Sequence, residues 1–315
     1  MRANDWNDPD WQAAAQDWVT AHLAAQHTPA TGTFTPHRVR PWSVTYRMPT
    51  HAGTRWFKAN ITDCRYEAAL AEALTRIAPG ATLPPLAVDV SRGWLLTADA
   101  GPTLREALDG ADRLKAWTTM LQAYAELQQA TVPHVAELLA LGVPDSRVSA
   151  IPGLFAELLA DPAIEVDPAV PDLAPDVARW CAELAADGIP AALQHDDLHD
   201  DNVFPDLRFF DWGDASIAHP FGSLLVTLNV LQAQLDLPNG ASELIRLRDA
   251  YLEPWSGSVD PATLRRSVTL ACRVTKVSRA LSWRRALRDA AVPVDDDYRT
   301  APAAWLGELT GGTAV

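Results

Sequence analysis

The chain has 315 residues, of which 48% are hydrophobic, so it is long enough to bury a substantial core in one large domain or two lobes. Its 40 acidic and 26 basic residues give a formal net charge of -14, which repels nucleic-acid backbones and anionic membrane surfaces and tolerates cationic ligands. The composition therefore argues against nucleic acid and membranes as partners.

The first third of the chain predicts one helix followed by segments of β pattern. Trp11, Trp18 and Leu23 recur at near-helical spacing. In chain order we predict a helix over 11–26, a meander of three strands within 33–60, a helix over 65–77, and two strands at 86–90 and 93–97. These elements form a first lobe over residues 1–100, with residues 1–30 as an N-terminal helical extension.

The remainder of the chain is mainly helical in pattern, and the lobe boundary belongs near 98–102. We predict a helix that begins near 103, a second helix through 114–128, short helices at 138–141 and 154–159, and longer helices over 242–253 and 262–290. The second lobe therefore spans residues 101–315.

The residues that carry chemistry lie together in the second lobe. Asp197 and Asn202 are five apart on a predicted loop, and Asp211 follows an apolar strand predicted at 208–210 that returns it to the same place. Phosphoryl transfer uses a carboxylate near the attacking hydroxyl, an amide oxygen and a second carboxylate on magnesium, and a cation on the nucleotide phosphates. The spacing can therefore bring three oxygen ligands together.

This stretch resembles the catalytic loop and metal segment of the aminoglycoside phosphotransferase/choline kinase family, which is similar in fold to the protein kinases. The family loop reads His-Gly-Asp-Leu-His-Pro-Gly-Asn. The chain keeps His195, Asp197, Leu198, His199 and Asn202, and it has Asp196, Asp200 and Asp201 in place of the Gly, Pro and Gly. The resemblance covers roughly residues 35–290. It implies an α+β, bilobal protein-kinase-like fold with a small β-rich N-terminal lobe and a larger, mainly helical C-terminal lobe.

The resemblance implies a role for each loop residue. Asp197 is the expected catalytic base, and Asp196 is its rival because a slip of one position would exchange them. Asn202 and Asp211 match the magnesium ligands. We expect His195 to hold the loop in shape by hydrogen bonding.

The resemblance also requires a lysine on the third strand and a glutamate on the following helix, and Lys58 and Glu67 occupy those places. Their ion pair is expected to hold the α- and β-phosphates of the nucleotide. Glu72, on the same helix, is the alternative to Glu67. The hinge whose backbone receives the adenine is expected at Thr97, Ala98 and Asp99.

Two segments depart from the family pattern. The first two strands are separated by Arg-Pro-Trp-Ser at 40–43 rather than by a GxGxxG, which leaves the covering of the phosphates open. After the metal segment, residues 218–223 with His219 replace the usual Asp-Pro, which leaves the local role of that histidine open.

The cysteines and the N-terminus indicate the compartment. Cys64, Cys181 and Cys272 are far apart and lack a CxxC spacing, which argues against disulfides and a zinc site. The N-terminus lacks the basic start and apolar run of a secretory signal, and no uncharged apolar stretch approaches the roughly 20 residues that cross a bilayer. We therefore expect a cytoplasmic protein.

The function implied by the resemblance is transfer of the γ-phosphoryl group of ATP, or of GTP, with Mg²⁺ to a hydroxyl of a small molecule. The acceptor is an aminoglycoside, an amino sugar, a sugar or another alcohol, and the acidic charge mildly favours a cationic one. We expect a monomer or a weak homodimer. The alternatives are a nucleotide-binding pseudokinase or regulatory module without transfer activity, and a metal-dependent phosphohydrolase that uses His195 and Asp196 as a metal pair.

Overall fold

The computed structural model describes residues 6–108, 112–257, 259–288 and 294–314. The chain divides into two compact units. The first comprises the described residues of Met1–Gly101, Phe210–Gly213 and Arg284–Arg299, and the second those of Pro102–Phe209, Asp214–Trp283 and Thr300–Val315. The first unit thus includes two segments from later in the chain, which a single division near residue 100 does not provide. That predicted boundary stays a prediction.

The first unit is built on a five-stranded antiparallel sheet with the order β1-β2-β3-β5-β4. The strands are β1 Thr35–Val39, β2 Ser43–Thr50, β3 Gly53–Asn60, β4 Pro85–Asp89 and β5 Trp94–Ala98, and the helices are α1 Pro9–Ala25 and α2 Tyr66–Ile77. Lys58 lies on the central strand β3, where it pairs with Thr45 of β2 and Leu95 of β5. The predicted meander, helices and strand pair are all present.

Helix α1 covers one face of this sheet with aromatic side chains. The rings of Trp11 and Trp18 lie 6.3 and 5.9 Å from the ring of Phe57 on β3, measured between ring centroids. Because successive side chains of a strand point to opposite faces, Phe57 is buried against α1 while Lys58 points away from it. The aromatic packing therefore fixes which face of the sheet carries the lysine.

The second unit contains most of the helices and a small three-stranded sheet. Its helices are α3 Leu104–Ala107, α4 Arg113–Thr131, α5 Val135–Ala140, α6 Ile151–Leu159, α7 Ala174–Ala186, α8 Leu224–Leu235, α9 Ser242–Leu252, and the larger parts of α10 Pro261–Leu287 and α11 Asp296–Gly307. The strands β6 Asp145–Ser146, β7 Ala192–Gln194 and β8 Ser216–Ala218 have the order β6-β8-β7, with β8 parallel to β6 and antiparallel to β7. Across the described part of the chain, every helix is too short or too polar to span a membrane.

Some predicted elements differ from the structure. The strand predicted at 208–210 is wrong, because this segment forms only an isolated bridge between Val203 and Phe209. Leu207 has a left-handed backbone with φ of 65°, which interrupts the extended conformation. The helices α7, α8 and α11 were not predicted. The last two residues of the helix predicted over 262–290 lie outside the described residues.

Candidate active site

Lys58 lies in a cluster of charged side chains within the first unit. Its Nζ is 2.8 Å from Oε1 and 2.7 Å from Oε2 of Glu67 on α2, and 2.6 Å from Oδ1 of Asp211. Glu67 is almost fully buried, whereas Glu72 on the same helix is exposed. The structure therefore brings three of the expected site residues together and leaves Glu72 outside the cluster.

The charges of this cluster shift one another's proton affinity. Burial alone would lower the pKa of Lys58, but the negative charges of Asp211 and Glu67 outweigh it and raise that pKa above its ordinary value. Burial raises the pKa of Glu67, and the charge of Lys58 opposes this shift. The lysine is thus held as a cation that two carboxylates share.

Asn60 and a main-chain amide complete the surroundings of Glu67. Nδ2 of Asn60 donates to Oε2 of Glu67 at 2.5 Å, and the main-chain N of Trp212 donates to Oε1 at 3.0 Å. Asn60 was missed by the sequence analysis. It lies two residues after Lys58 on β3, and side chains two apart on a strand point to the same face. This spacing could have identified Asn60 from the sequence.

The segment from Asp211 to Gly213 approaches the cluster closely. Asp211 has φ of 64°, a region that Asp, Asn and Gly adopt more readily than other residues. A Cβ atom on Gly213 would lie 3.3 Å from Oε2 of Glu67 and 3.7 Å from Nζ of Lys58. The hydroxyl of Tyr66 donates to the main-chain O of Gly213 at 2.6 Å. A glycine is therefore the residue that lets this segment lie against the ion pair.

The three residues expected to form the hinge, 97–99, lie at the end of strand β5 and directly after it. Thr97 is buried, Ala98 is half-buried as the last residue of β5, and Asp99 is exposed. The main-chain N of Asp99 donates to the O of Thr54 at 3.1 Å, and its Oδ1 accepts from the N of Gly101 at 3.0 Å. The main-chain donor of Asp99 is therefore committed to the protein.

The loop after β7 in the second unit brings three polar side chains together. Nδ2 of Asn202 donates to the main-chain O of Asp197 at 2.8 Å and lies 3.5 Å from its Oδ2. Nε2 of His199 lies 3.6 Å from the same carboxylate oxygen. The side chain of Asp197 is 35% exposed, so its carboxylate is accessible to a ligand.

Arg279 on α10 is a buried cation beside this loop. Its Nη1 donates to the main-chain O of Asp196 at 2.7 Å, and its Nη2 lies 4.0 Å from Oδ1 of Asp197. Burial acts to raise the pKa of Asp197, but its interaction with the neighbouring His199 and the charge of Arg279 outweigh it and hold that pKa below its ordinary value. Asp197 is thus ionised at neutral pH. The position of Arg279 beside the loop was not predicted, because this residue lies far along the chain from the loop.

Asp196, the rival of Asp197, points into the protein. It has φ of 63°, which accounts for a glycine at this place in the family loop. Its buried carboxylate accepts a hydrogen bond from Oγ of Ser216 at 2.6 Å and another from the amide of Gln194. Burial raises the pKa of Asp196 to about 6 against the opposing charge of Arg279. Of the two aspartates, only Asp197 presents its carboxylate to solvent.

His195 and His219 are both buried, unlike His199 in the loop. The main-chain N of His195 donates to the hydroxyl of Tyr124 at 2.8 Å. His219 precedes the short 3-10 helix Pro220–Ser223, and its Nδ1 accepts from the N of Phe221 at 3.3 Å. Burial lowers the pKa of His219 to about 4, so the ring is neutral at pH 7. The local role that the sequence left open for His219 is that of a helix cap.

Comparison with known proteins agrees with this geometry. The sequence matches the model of the phosphotransferase enzyme family over residues 62–265, which is more than half of the chain. The chain belongs to this family. No curated protein shows significant similarity to it. The prediction of a phosphotransferase is therefore confirmed at the level of the family.

Three solved structures illustrate the fold of this phosphotransferase. A choline/ethanolamine kinase family protein from Mesorhizobium loti is 18% identical, with a TM-score of 0.62 over 94% of this chain and 95% of that chain. Macrolide 2'-phosphotransferase MphH from Brachybacterium faecium is 19% identical, with a TM-score of 0.57 over 92% and 98%. A thermostable mutant of aminoglycoside phosphotransferase APH(4)-Ia, in a ternary complex with AMP-PNP and hygromycin B, is 14% identical, with a TM-score of 0.51 over 91% and 97%. The family resemblance and the α+β, bilobal kinase-like fold class are confirmed.

Asp211 in the first unit and Asn202 in the second, the two residues expected to bind magnesium, each present an oxygen atom of the kind that Mg²⁺ takes. Asp211 offers a carboxylate that is 43% exposed, and Asn202 donates from its amide nitrogen to Asp197, which leaves its amide oxygen as an acceptor. Mg²⁺ takes oxygen ligands, commonly one or two carboxylates together with substrate phosphates. In the part of the chain that the structure describes, no group of three or more His, Cys, Asp or Glu side chains is arranged to hold a metal ion.

Proposed function

We propose that this chain is a small-molecule kinase that uses Mg²⁺ and ATP, or GTP, to phosphorylate a hydroxyl group. The observation that carries the proposal is the contact of Lys58 with both Glu67 and Asp211. In protein kinases a lysine paired with a helical glutamate contacts the nucleotide phosphates, and a nearby aspartate holds the metal. Membership of the family and the AMP-PNP complex of a structural neighbour support the use of a nucleotide.

The residues of the first unit and Asn202 bind and orient the nucleotide in this proposal. Lys58 contacts phosphate oxygens, and Glu67 holds its ammonium group in place. Asp211 and Asn202 would hold Mg²⁺, and the ion would supply positive charge beside the phosphate oxygens. The segment 97–99 contacts the base.

Asp197 acts on the acceptor. It accepts a hydrogen bond from the acceptor hydroxyl, whose oxygen attacks the γ-phosphorus. The bond from the γ-phosphorus to the β-phosphate oxygen breaks, the proton passes to the carboxylate of Asp197, and the nucleoside diphosphate leaves. Because the pKa of Asp197 is held low, we assign it mainly to orienting the hydroxyl, with proton transfer late in the reaction.

The acceptor in our proposal is a small hydroxyl-bearing molecule such as an aminoglycoside, an amino sugar, a sugar or another alcohol. The formal net charge of -14 favours a cationic compound among these. We further propose that the protein acts in the cytoplasm as a monomer or weak homodimer.

A screen of acceptors tests the proposal. Purified protein is incubated with Mg-ATP or Mg-GTP and pooled hydroxyl-bearing metabolites and antibiotics, and phosphorylated products are detected by mass spectrometry. Asp197→Asn serves as the blank, and we expect it to lose turnover by about 10² to 10⁴-fold while it keeps its nucleotide affinity. Asp206→Asn is the matched control, since Asp206 is an exposed aspartate paired with Arg208, and it should retain turnover.

The outcomes separate the proposal from its alternatives. A product formed by the wild type and by Asp206→Asn, but not by Asp197→Asn, supports the kinase and identifies the acceptor class. Binding of Mg-nucleotide in calorimetry without any product would favour the pseudokinase. Absence of both binding and product would contradict the proposal.

A further inference from the structure

After His199, the loop of this chain has two consecutive aspartates where the family loop has proline and glycine. Asp200 is fully buried, and Asp201 is partly exposed. A buried carboxylate is unfavourable unless a cation and hydrogen bonds compensate it, so the change from proline and glycine needs a partner elsewhere in the chain.

Arg105 on α3 is that partner. Its Nη2 and Nε lie 2.7 and 2.9 Å from Oδ1 of Asp200, and its Nη1 lies 3.2 Å from Oδ2 of Asp201. Oδ1 of Asp200 also accepts from Nε2 of Gln234 at 3.1 Å. The guanidinium group thus spans both aspartates that replace the neutral residues.

The backbone around Arg105 is joined to the same loop. The main-chain N of Arg105 donates to the O of Asp200, and the N of Leu104 donates to the O of Val203, each at 2.8 Å. Oγ1 of Thr103 donates to Oδ1 of Asp201 at 2.9 Å. Residues 103–105 and the end of the loop therefore form one hydrogen-bonded unit.

Arg105 also contacts His199, which lies next to the reactive carboxylate. Nδ1 of His199 lies 3.3 Å from Nη2 of Arg105 and accepts from the main-chain N of Asp201 at 3.1 Å. Because two donors face Nδ1, the proton of the neutral ring belongs on Nε2, which lies 3.6 Å from Oδ2 of Asp197. Nδ2 of Asn202 also lies 3.4 Å from Nε2, but its two hydrogens have oxygen acceptors on Asp197, the main-chain O at 2.8 Å and Oδ2 at 3.5 Å.

We propose that Arg105 is a positioning residue that, through Asp200, Asp201 and His199, holds the loop so that the protonated Nε2 of His199 faces the carboxylate of Asp197. The proposal rests on the proposed function of Asp197 in phosphoryl transfer. Arg105 compensates the two aspartates and fixes the histidine in the tautomer that faces the carboxylate. Asp200, Asp201 and Arg105 then act together to hold the loop in place.

The test separates positioning from a loss of folding. Arg105→Met alone would leave the buried carboxylate of Asp200 without its cation, so it is made together with Asp200→Asn and compared with Asp200→Asn alone. We expect the double variant to keep its thermal melting temperature and to lower kcat by about 10- to 100-fold, as loss of an outer-shell partner does. The KM for the nucleotide should change by less than about 3-fold.

Nitrogen NMR of ¹⁵N-histidine-labelled protein provides a readout that does not need activity. The His199 signals are assigned by their loss in His199→Gln. Asp200→Asn should show protonated Nε2 and unprotonated Nδ1, and the double variant should show shifts averaged between the two tautomers. Identical His199 shifts in both proteins would overturn the proposal, as would an unchanged kcat. If the wild type transfers no phosphate, the NMR comparison still decides the role of Arg105, while nucleotide binding and turnover decide the proposed function.

Discussion

The charged cluster of the first unit and the loop after β7 in the second unit balance their charges in different ways. In the first unit, Lys58, Glu67 and Asp211 are the residue types that the family pattern requires, and they neutralise one another directly. In the second unit, the loop carries aspartates where the family has glycine and proline, and arginines from other helices lie against them. The loop of the second unit can therefore carry carboxylates in place of neutral turn residues because Arg105 and Arg279 supply compensating charge.

The difference matters for how each part responds to mutation. In the first unit, the ammonium group of Lys58 contacts two carboxylates at once, so loss of this lysine affects both of them. The loop in the second unit is held by several contacts that differ in burial.

The largest effect is expected for Lys58→Met. Removal of the cation leaves the buried Glu67 beside Asp211 without a counter-charge, and breaking such a pair costs about 3 to 5 kcal/mol of the free energy of unfolding. Urea unfolding at neutral pH measures this change. Nucleotide affinity, measured by calorimetry, should fall as well because the phosphate contact is lost.

Two further variants show whether the charge imbalance causes the loss. Lys58→Met/Glu67→Gln removes the uncompensated carboxylate and should recover part of the stability without recovering nucleotide affinity. Lys115→Met changes an exposed lysine on α4 and should alter stability by less than about 0.5 kcal/mol. A loss in Lys58→Met no larger than that in Lys115→Met would show that the cluster is not energetically coupled.

A pH-dependent effect is expected from His219 in the second unit. Its pKa is lowered from 6.5 to about 4 by burial, with Asp187 as the opposing charge, so the unfolded chain binds more protons in this window. The free energy of unfolding should therefore fall as the pH is lowered from 6.5 to about 4, by on the order of 3 kcal/mol from this group. His219→Asn keeps an acceptor for the N of Phe221 but does not titrate.

The difference between wild type and His219→Asn isolates this histidine. Urea unfolding at neutral pH and near pH 4 should show the wild type losing stability relative to the variant at the lower pH. Asp196 acts in the opposite sense, since its raised pKa of about 6 makes stability fall as the pH rises from 3.8 to about 6. It is present in both proteins, so it cancels in the difference. Parallel curves for the two proteins would contradict the prediction.

A smaller loss of stability is expected for Gly222→Ala. Gly222 lies against Gln194, the last residue of strand β7, which leads into the loop. A Cβ atom at Gly222 would overlap Oγ1 of Thr275 and Oε1 of Gln194. Overpacking of this kind costs about 1 to 3 kcal/mol in the free energy of unfolding. Gly153→Ala is the matched control on α6, where a Cβ atom meets nothing within 4 Å, and it should stabilise by about 0.5 to 1 kcal/mol. Equal effects at both glycines, measured by urea unfolding, would rule out the steric explanation.

The sequence analysis succeeded where the signal was local. Alternation gave the strands of the first unit, and short spacings in the loop brought Asp197 and Asn202 together as expected. It failed where partners are distant, because nothing near the loop indicates that Arg105 and Arg279 compensate its aspartates. Charge compensation between residues far apart in sequence becomes visible only once the chain is folded.

The missed elements have separate physical reasons. Helix α8 is apolar on nearly every side, so its sequence lacks the polar face that gives a helical period. Helix α7 has apolar residues at helical spacing, namely Val177, Trp180, Cys181 and Leu184. It was not predicted because it follows a proline-rich stretch. The strand predicted at 208–210 failed because the left-handed Leu207 cannot be read from its residue type.

The smallest effect is expected for Asp201→Asn, which sharpens the comparison within the loop itself. Asp201 is 42% exposed, and its ion pair with Arg105 at 3.2 Å lies in contact with water. The asparagine keeps the oxygen that accepts from Thr103, but its amide nitrogen replaces the oxygen that accepts from Arg105, so the ion pair is lost. Exposed pairs contribute about 0 to 1 kcal/mol, and we expect urea unfolding to show a loss in that range that shrinks in high salt. A loss that exceeds this range, or that salt does not reduce, would mean that Asp201 is as tightly coupled to Arg105 as the buried Asp200.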